Sequence, residues 1–293
     1  MIIVELTGGL GNQMFQYAAG RALARRHNTT LKLDVSRYSA IPEGETPREY
    51  QLDLLSISSE RATDSDLANV SAPPKGIRRL WPSRLSNRGR GGCTVFQEHL
   101  GRVNSQFFSL PDNTCLCGYW QSERYFQPIG DLIRREFEPA GPWSARNRQL
   151  AAEMADANSV SLHVRRTDYV TDERTRLHHG TCSPEYYATC MAEIADRIGS
   201  PHFFLFSDDP DWVRDNITTP FPKTVVDHNA SADAAVFDLK LMSLCKHNII
   251  ANSSFSWWGA WLNGNPGKIV LAPSRWFALR QAEELLPHSW IKI

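Results

Sequence analysis

The chain has 293 residues, with 32 lysines and arginines against 32 aspartates and glutamates, so its formal net charge is zero. Hydrophobic residues make up 42% of the chain and charged residues 22%, which excludes a disordered chain, a collagen-like fibre and a strongly charged nucleic-acid coat protein. The length favours two domains over one large domain.

The first segment predicts a β-α-β unit. Residues 2–6 predict a strand, residues 7–12 a tight loop, residues 13–27 a helix with one apolar face, and residues 31–35 a second strand. The start of the chain has no basic, long apolar leader, and nowhere do about eighteen apolar residues run together. We therefore expect a cytoplasmic protein without a transmembrane helix, whose six cysteines remain thiols.

A basic stretch interrupts the middle of the chain. Residues 72–92 contain six lysines and arginines and no acidic residue. Two interpretations stay open: a solvated loop, or a basic segment at residues 75–90 that makes a weak peripheral contact with an anionic acceptor or membrane surface.

The second half predicts a parallel sheet with crossover helices, because strands and helices alternate. The best domain boundary lies near Gly141 and Pro142, and Ser183 is expected to cap the helix that follows it. Predicted strands are 159–164, 203–207, 224–226, 248–251 and 268–272; predicted helices are 184–197, 209–216, 232–245 and 253–263.

Ligands of α/β proteins bind beyond the carboxyl ends of the strands, so the loops after strands are the candidate sites. The first is the glycine-rich loop at residues 7–13, where backbone can approach a ligand closely. It matches neither the dinucleotide fingerprint nor the P-loop. A glycine turn needed only for packing is the alternative.

The second loop follows the strand at 159–164 and carries two arginines. On a strand, His163 and Arg165 would share one face, and an arginine fork there can clamp a phosphate. Asp168 would orient an arginine or accept a proton. The alternatives are a surface ion pair between Arg166 and Asp168, and His163 as a satisfied core histidine.

The third loop, at residues 252–259, places two hydroxyl groups at a helix start, which is a natural anion site. The alternative is plain helix capping by Ser253 or Ser254. The tryptophans at 257, 258 and 261 are expected in the core.

Two other clusters resemble metal sites without predicting one. The acidic run at residues 207–211 is better explained as a helix start, and adjacent side chains such as His178 and His179 diverge. We predict no metal and no cofactor.

Three motifs together resemble the bacterial α-1,2-fucosyltransferase family. They are GGLGNQMFQY at residues 8–17, HVRRTDYV at 163–170 and NSSFSWWGAW at 252–261, in the family's order. The resemblance implies an α/β, GT-B-like fold with two Rossmann-like domains whose parallel sheets face a central cleft. Residues 1–141 would bind the acceptor and residues 142–293 GDP-fucose, with the C-terminal segment packing back on the first domain.

The implied activity is transfer of L-fucose from GDP-β-L-fucose to the 2-hydroxyl of a terminal galactose, with inversion and without a metal. The implied acceptor is a galactose-terminated glycan, lipid-linked in surface-polysaccharide synthesis. Transfer from another GDP-sugar or to another hydroxyl, and a nucleotide- or sugar-binding module without turnover, stay open as alternatives.

The resemblance also implies residue roles. Arg165 would grip the β-phosphate, and Asp238 would accept hydrogen bonds from the guanine edge. Candidate bases near the Arg165 loop are Asp168, Asp172 and Glu173. Asp168 is ranked first, and Glu173 lies where core-fucosylating relatives carry an acid. Thr167 stands where the family usually has glycine. The remaining donor-binding residues would be His163, Asn252, Ser253, Ser254 and Phe255, and the cleft on the acceptor side would be lined by Gly9, Gly11, Asn12 and Gln13.

Overall fold

The computed structural model describes residues 1–39, 47–68, 70–71, 92–98, 102–166, 180–277 and 284–293. The chain forms two compact units. The first unit contains Met1–Leu52 and Ile57–Glu136, and the second contains Asp53–Ser56 and Phe137–Ile293. Each unit is described by itself below.

The first unit is built on a six-stranded parallel sheet. Its strands are β1 (Ile2–Glu5), β2 (Leu31–Asp34), β3 (Glu60–Arg61), β4 (Val70–Ser71), β5 (Cys93–Gln97) and β6 (Thr114–Cys117); its helices are α1 (Leu10–His27), α2 (Asp64–Ala68) and α3 (Gly130–Glu136). The strand order is β3-β2-β1-β6-β5-β4. Val4 in β1 pairs with Leu33 in β2 and with Leu116 in β6, so apolar residues of three strands meet in the sheet centre.

Helix α1 begins at Leu10, earlier than the predicted start at residue 13. Its N-cap is Gly9, and Gly8 before it has φ +78°, a left-handed conformation that glycine adopts readily. The early start places Asn12 and Gln13 inside the first turns of the helix. Glycine is also needed at Gly20, where a Cβ would lie 2.2 Å from a methyl carbon of Val4, so this residue lets α1 approach β1 closely.

A buried carboxylate ties α1 to the end of α3. Glu136 is 7% exposed, accepts from Tyr17 Oη at 2.7 Å and pairs with Arg21 Nη2 at 2.8 Å. The backbone N–H of Ser58 donates to Tyr17 Oη at 3.0 Å. The side chains of Tyr17, Arg21 and Glu136 and the backbone N–H of Ser58 therefore form one largely buried hydrogen-bonded cluster.

The Glu136→Gln substitution is expected to lower the free energy of unfolding by about 2–3 kcal/mol, because Arg21 loses its charged partner in a buried setting. The matched control is Glu138→Gln, whose carboxylate is 48% exposed and pairs with Lys240 at the surface. That change is expected to cost less than about 1 kcal/mol. Chemical denaturation of the whole chain measures both, and equal losses would contradict a special role for Glu136.

The second unit is also built on a six-stranded parallel sheet. Its strands are β7 (Ser159–Val164), β8 (His202–Ser207), β9 (Lys223–Val226), β10 (His247–Ile249), β11 (Val270–Ala272) and β12 (Ile291–Lys292); its helices are α4 (Ala145–Asp156), α5 (Pro184–Ile198), α6 (Pro210–Asn216), α7 (Ala235–Leu244) and α8 (Ser254–Leu262). The strand order is β12-β11-β10-β7-β8-β9. The core joins β7, β8 and α5 through residues such as Leu162, Phe203 and Tyr187.

The predicted alternation in the second half is confirmed. Ser183 caps α5 by accepting from the N–H of Tyr186, as expected. Residues 232–234, predicted as the start of a helix, form a 3₁₀ turn before α7. All six cysteines are free thiols.

Among the described residues, no helix has both the length and the apolar character needed to cross a bilayer.

Candidate active site

Two neighbouring strands of the second sheet bring Arg165 and Asp208 together. Strand β7 is buried along its whole length and pairs with β8 so that Val164 lies opposite Ser207. The next residues then meet: Arg165 Nη1 lies 3.2 Å from Asp208 Oδ2, and the N–H of Arg166 donates to Asp208 Oδ1 at 2.9 Å. One carboxylate thus fixes both the backbone and the guanidinium of this loop.

Asp208 was not among the site residues predicted from the sequence. The acidic run at 207–211 predicts a helix start, and Asp209 does cap α6 by accepting from the N–H of Trp212. Asp208 instead turns toward Arg165. The position of Asp208 directly after β8 could have indicated its contact with Arg165, because residues that follow the ends of paired parallel strands are neighbours.

Arg166 lies between two residues of the α6 segment. Its guanidinium carbon is 4.0 Å from the ring centroid of Trp212, and its Nε is 3.6 Å from Asp209 Oδ2. The alternative ion pair with Asp168 falls outside the described residues. Cation–π contact and a nearby carboxylate explain Arg166 as a residue that secures the loop.

His163 is buried beside the same loop. Its ring lies 5.5 Å from the ring of Phe255, and burial, opposed by the charge of Asp208, lowers its pKa to about 4. The imidazole is therefore neutral at physiological pH. Its Nδ1 has no hydrogen-bond partner within the described part of the chain.

Asn252 fixes the loop before α8, and the hydroxyl groups of Ser253 and Ser254 lie at the start of that helix. Asn252 donates to the carbonyl oxygens of Gly180 at 3.2 Å and Trp276 at 3.3 Å, which holds three loops together. Ser253 is the N-cap residue by position, yet its side chain makes no capping hydrogen bond. The alternative of capping by the Ser253 hydroxyl is therefore wrong. Ser254 opens the helix.

The tryptophans of α8 belong to the core, as predicted. Trp257 and Trp258 are fully buried and Trp261 is 5% exposed. Their rings pack on one another with centroid separations of 4.9 Å and 5.3 Å for the pairs 257–258 and 258–261. This packing fixes the start of α8, where Ser253, Ser254 and Phe255 lie.

Asp238 lies in the first turn of α7, at the end of a chain of amides. Its Oδ1 accepts from Asn229 Nδ2 at 2.8 Å, and the same Nδ2 donates to Asn147 Oδ1 at 3.0 Å. Asn147 is 1% exposed and returns a bond from its Nδ2 to Asn229 Oδ1 at 3.3 Å. Burial, opposed by the bond from Asn229, raises the pKa of Asp238 to about 7.

The acceptor-side residues predicted in the first unit divide into two roles. Gln13 is fully buried, donates to the carbonyl oxygens of Gly8 at 3.0 Å and Glu49 at 2.8 Å, and accepts from the N–H of Gln51. It orders the surrounding loops. Asn12 is partly exposed, and its Oδ1 accepts from Gln121 Nε2 at 2.9 Å. Gly9 caps α1 and Gly11 lies in its first turn.

Several predicted residues lie outside the described residues: Thr167, Asp168, Glu173, His178, His179 and the basic segment 75–90. Their predicted roles stay predictions. In the described ranges, no group of three or more His, Cys, Asp or Glu side chains is arranged to hold a metal ion.

The model of glycosyl transferase family 11 matches residues 97–293. The chain belongs to this family, and it is a glycosyltransferase. The resemblance seen in the three motifs is thereby confirmed at the level of the family.

Curated relatives match nearly the whole chain. An α-1,2-colitosyltransferase of Escherichia coli is 32% identical over 100% of this chain and 99% of its own length. The O-antigen biosynthesis glycosyltransferase WbnK of Escherichia coli is 31% identical over 98% of this chain and 99% of its own. Mouse galactoside α-(1,2)-fucosyltransferase 2 is 30% identical over 89% of this chain and 68% of its own.

A solved structure supports the fold class. A mutant form of Arabidopsis thaliana FUT1 in complex with GDP aligns with a TM-score of 0.52 at 11% identity, over 99% of this chain and 75% of that chain. Together with the two parallel sheets, this likeness confirms the predicted α/β, GT-B-like fold class.

Proposed function

We propose that this family 11 enzyme transfers L-fucose from GDP-β-L-fucose to the 2-hydroxyl of a terminal galactose, with inversion at the sugar's anomeric carbon. The observation that carries the proposal is Arg165, held by Asp208 at the end of β7 beside the buried His163. The relatives named as α-1,2-colitosyl- and α-1,2-fucosyltransferases support the linkage.

The chemistry requires a fixed positive charge at the leaving group. As the bond between the sugar's C1 and the phosphate oxygen breaks, GDP departs with the electron pair and negative charge grows on the pyrophosphate. Arg165 would meet that charge without reorganising, because Asp208 already orients its guanidinium. The hydroxyls of Ser253 and Ser254 and the N–H groups at the start of α8 would bind the remaining phosphate oxygens.

We propose that this arrangement works without a metal ion, Arg165 supplying the cation. The oxygen of the galactose 2-hydroxyl forms the new bond to C1, and its proton passes to a base. Asp168 remains the first proposed base and Glu173 the second.

Asp238 is proposed to recognise the guanine. Guanine presents two N–H donors on one edge, at N1 and N2, and a carboxylate accepts both. Asn229 holds one oxygen of Asp238 at 2.8 Å and thereby sets the plane of the carboxylate. The GDP named in the Arabidopsis FUT1 complex supports a GDP-linked donor for this chain.

The acceptor is proposed to be a galactose-terminated glycan, lipid-linked in surface-polysaccharide synthesis. The name of the E. coli relative WbnK, an O-antigen biosynthesis glycosyltransferase, supports this class of acceptor.

One observation supports GDP-L-colitose as a second candidate donor. The chain is 32% identical over its whole length to a colitosyltransferase. Colitose is L-fucose without its 3-hydroxyl group. A site built to bind that hydroxyl rejects the deoxy sugar by about 10⁴-fold, whereas a site that leaves it unbound accepts both sugars.

Comparing GDP-L-fucose with GDP-L-colitose at equal concentrations tests the donor. With lactose as acceptor, we expect kcat/KM to be higher for GDP-L-fucose by about 10⁴-fold, the discrimination of a site that hydrogen-bonds the 3-hydroxyl. A preference for GDP-L-colitose would identify a colitosyltransferase. Binding of both donors without product would favour a binding module that lacks turnover.

A further inference from the structure

A strained segment of the first unit follows strand β6, at residues 118–122. β6 is the parallel neighbour of β1, so this segment lies at the same sheet edge as the loop that leads into α1. Gly118 has φ +146° and Trp120 has φ +56°. A tryptophan in the left-handed region persists only where the surrounding structure holds it there.

Glu98 is what holds the segment. It is 9% exposed, and its Oε2 accepts from the N–H of Tyr119 at 2.8 Å and of Trp120 at 2.6 Å. Gly118 gives Glu98 room, because a Cβ there would lie 2.5 Å from the Cβ of Glu98. Gln16 donates to the Gly118 carbonyl oxygen at 3.0 Å. A buried carboxylate and a side-chain amide thus fix three consecutive residues.

The ring of Trp120 adds a second anchor. It is fully buried, and its centroid lies 5.4 Å from that of Phe107 and 5.2 Å from that of Tyr125. The segment is therefore tied down by its backbone and by one side chain. The two neighbours of Trp120, Tyr119 and Gln121, are the partly exposed residues that this arrangement presents.

Gln121 is itself aligned by a single bond to Asn12. Its Nε2 donates to Asn12 Oδ1 at 2.9 Å, which sets the plane of both amides. Within the described ranges, Gln121 Oε1 accepts no hydrogen bond and Asn12 Nδ2 donates none. A carbonyl acceptor and an N–H donor are thus held together, two residues along the chain from the partly exposed Tyr119.

We propose that Asn12, Tyr119 and Gln121 bind the terminal sugar of the acceptor, and that Glu98 is a positioning residue for them. The proposal rests on the proposed function, which makes that sugar a galactoside. A sugar hydroxyl both donates and accepts, so it matches a paired amide oxygen and amide N–H. The face of a hexose is apolar and suits a tyrosine ring. This set carries no charge, which fits a neutral sugar rather than a phosphate.

The proposal is tested by combining a substitution in the enzyme with removal of single hydroxyl groups from the acceptor. Lactose and its analogues deoxygenated at C3, C4 or C6 of the galactose are assayed with wild-type enzyme and with Gln121→Ala. We expect Gln121→Ala to lower kcat/KM for lactose about five- to tenfold, with the KM for GDP-fucose unchanged. For one analogue, the one lacking the bound hydroxyl, the substitution should have almost no further effect.

Two further variants make the outcome decisive. Gln149→Ala, at an exposed glutamine bonded to Glu153 on α4, should match the wild type throughout. Glu98→Gln should raise the KM for lactose several-fold and leave the KM for GDP-fucose alone. Equal losses for lactose and all three analogues would overturn the inference, because a purely structural change would cause them. No transfer to any β-galactoside by the wild type would overturn the proposed function, and the inference with it.

Discussion

Arg165→Ala is expected to lower the rate of transfer at saturating donor by at least about two orders of magnitude, the usual cost of removing one group that stabilises a developing anion. Each tenfold loss corresponds to about 1.4 kcal/mol of transition-state stabilisation. Arg165 qualifies for this role because Asp208, 3.2 Å from its Nη1, orients it before substrate binds. The fold should survive, since Asp208 still accepts from the N–H of Arg166.

Two further arginine variants control this experiment. Arg165→Lys keeps a charge but loses the planar fork, so an intermediate loss of rate is expected. Arg214→Ala removes a surface arginine that pairs with Asp211 and Asp227, and its rate should equal that of the wild type. A folded Arg165→Ala enzyme with near-normal turnover, checked by circular dichroism and initial rates, would remove the phosphate-binding role of Arg165.

The affinity for GDP-β-L-fucose is expected to fall about tenfold for each pH unit below about 7, and to level off above that value. Burial raises the pKa of Asp238 to about 7 in the unliganded protein. Below that pH the carboxyl group holds a proton, which must leave before the two guanine N–H donors can bind. The loss between pH 7 and pH 5 is therefore about a hundredfold.

This pH profile has clear controls. GDP-fucose serves better than GDP, because its pyrophosphate is esterified at both ends and does not titrate between pH 5 and pH 8. Asp238→Asn should bind weakly at every pH in this range, whereas Asp233→Asn, outside the amide chain, should keep the wild-type profile. Calorimetry in buffers of different ionisation enthalpy should detect proton release on binding at pH 6. A flat wild-type profile would contradict the guanine-binding role of Asp238.

The sequence was sufficient for β7 to β11 and for α5 to α8 of the second unit, because short buried strands there alternate with helices. It did not predict helix α4 or the short strand β12. The start of α1 was not predictable in this way. Gly9 provides no capping side chain, so nothing local marks residue 10 as the first helical residue.

The site residues likewise divide into those that the sequence predicted and those that it did not. Arg165 and the serines at the start of α8 sit in local motifs that the sequence displays, and Asp238 follows from the family resemblance. Asp208, Glu98 and Gln121 act through partners that are 43, 22 and 109 residues away at most, respectively, and pairing of strands or loops creates those contacts. The parallel registers of β7 with β8, of β5 with β6 and of β1 with β6 bring such residues together.

The most direct test of the proposed function is the structure of the product. Purified enzyme is incubated with GDP-β-L-fucose and lactose in the presence of EDTA, and the product's linkage and anomeric configuration are determined by NMR. We predict α-L-fucose on the 2-hydroxyl of galactose. Fucose on another hydroxyl, retention of the β configuration, or no product until a divalent metal is added would contradict the proposed reaction.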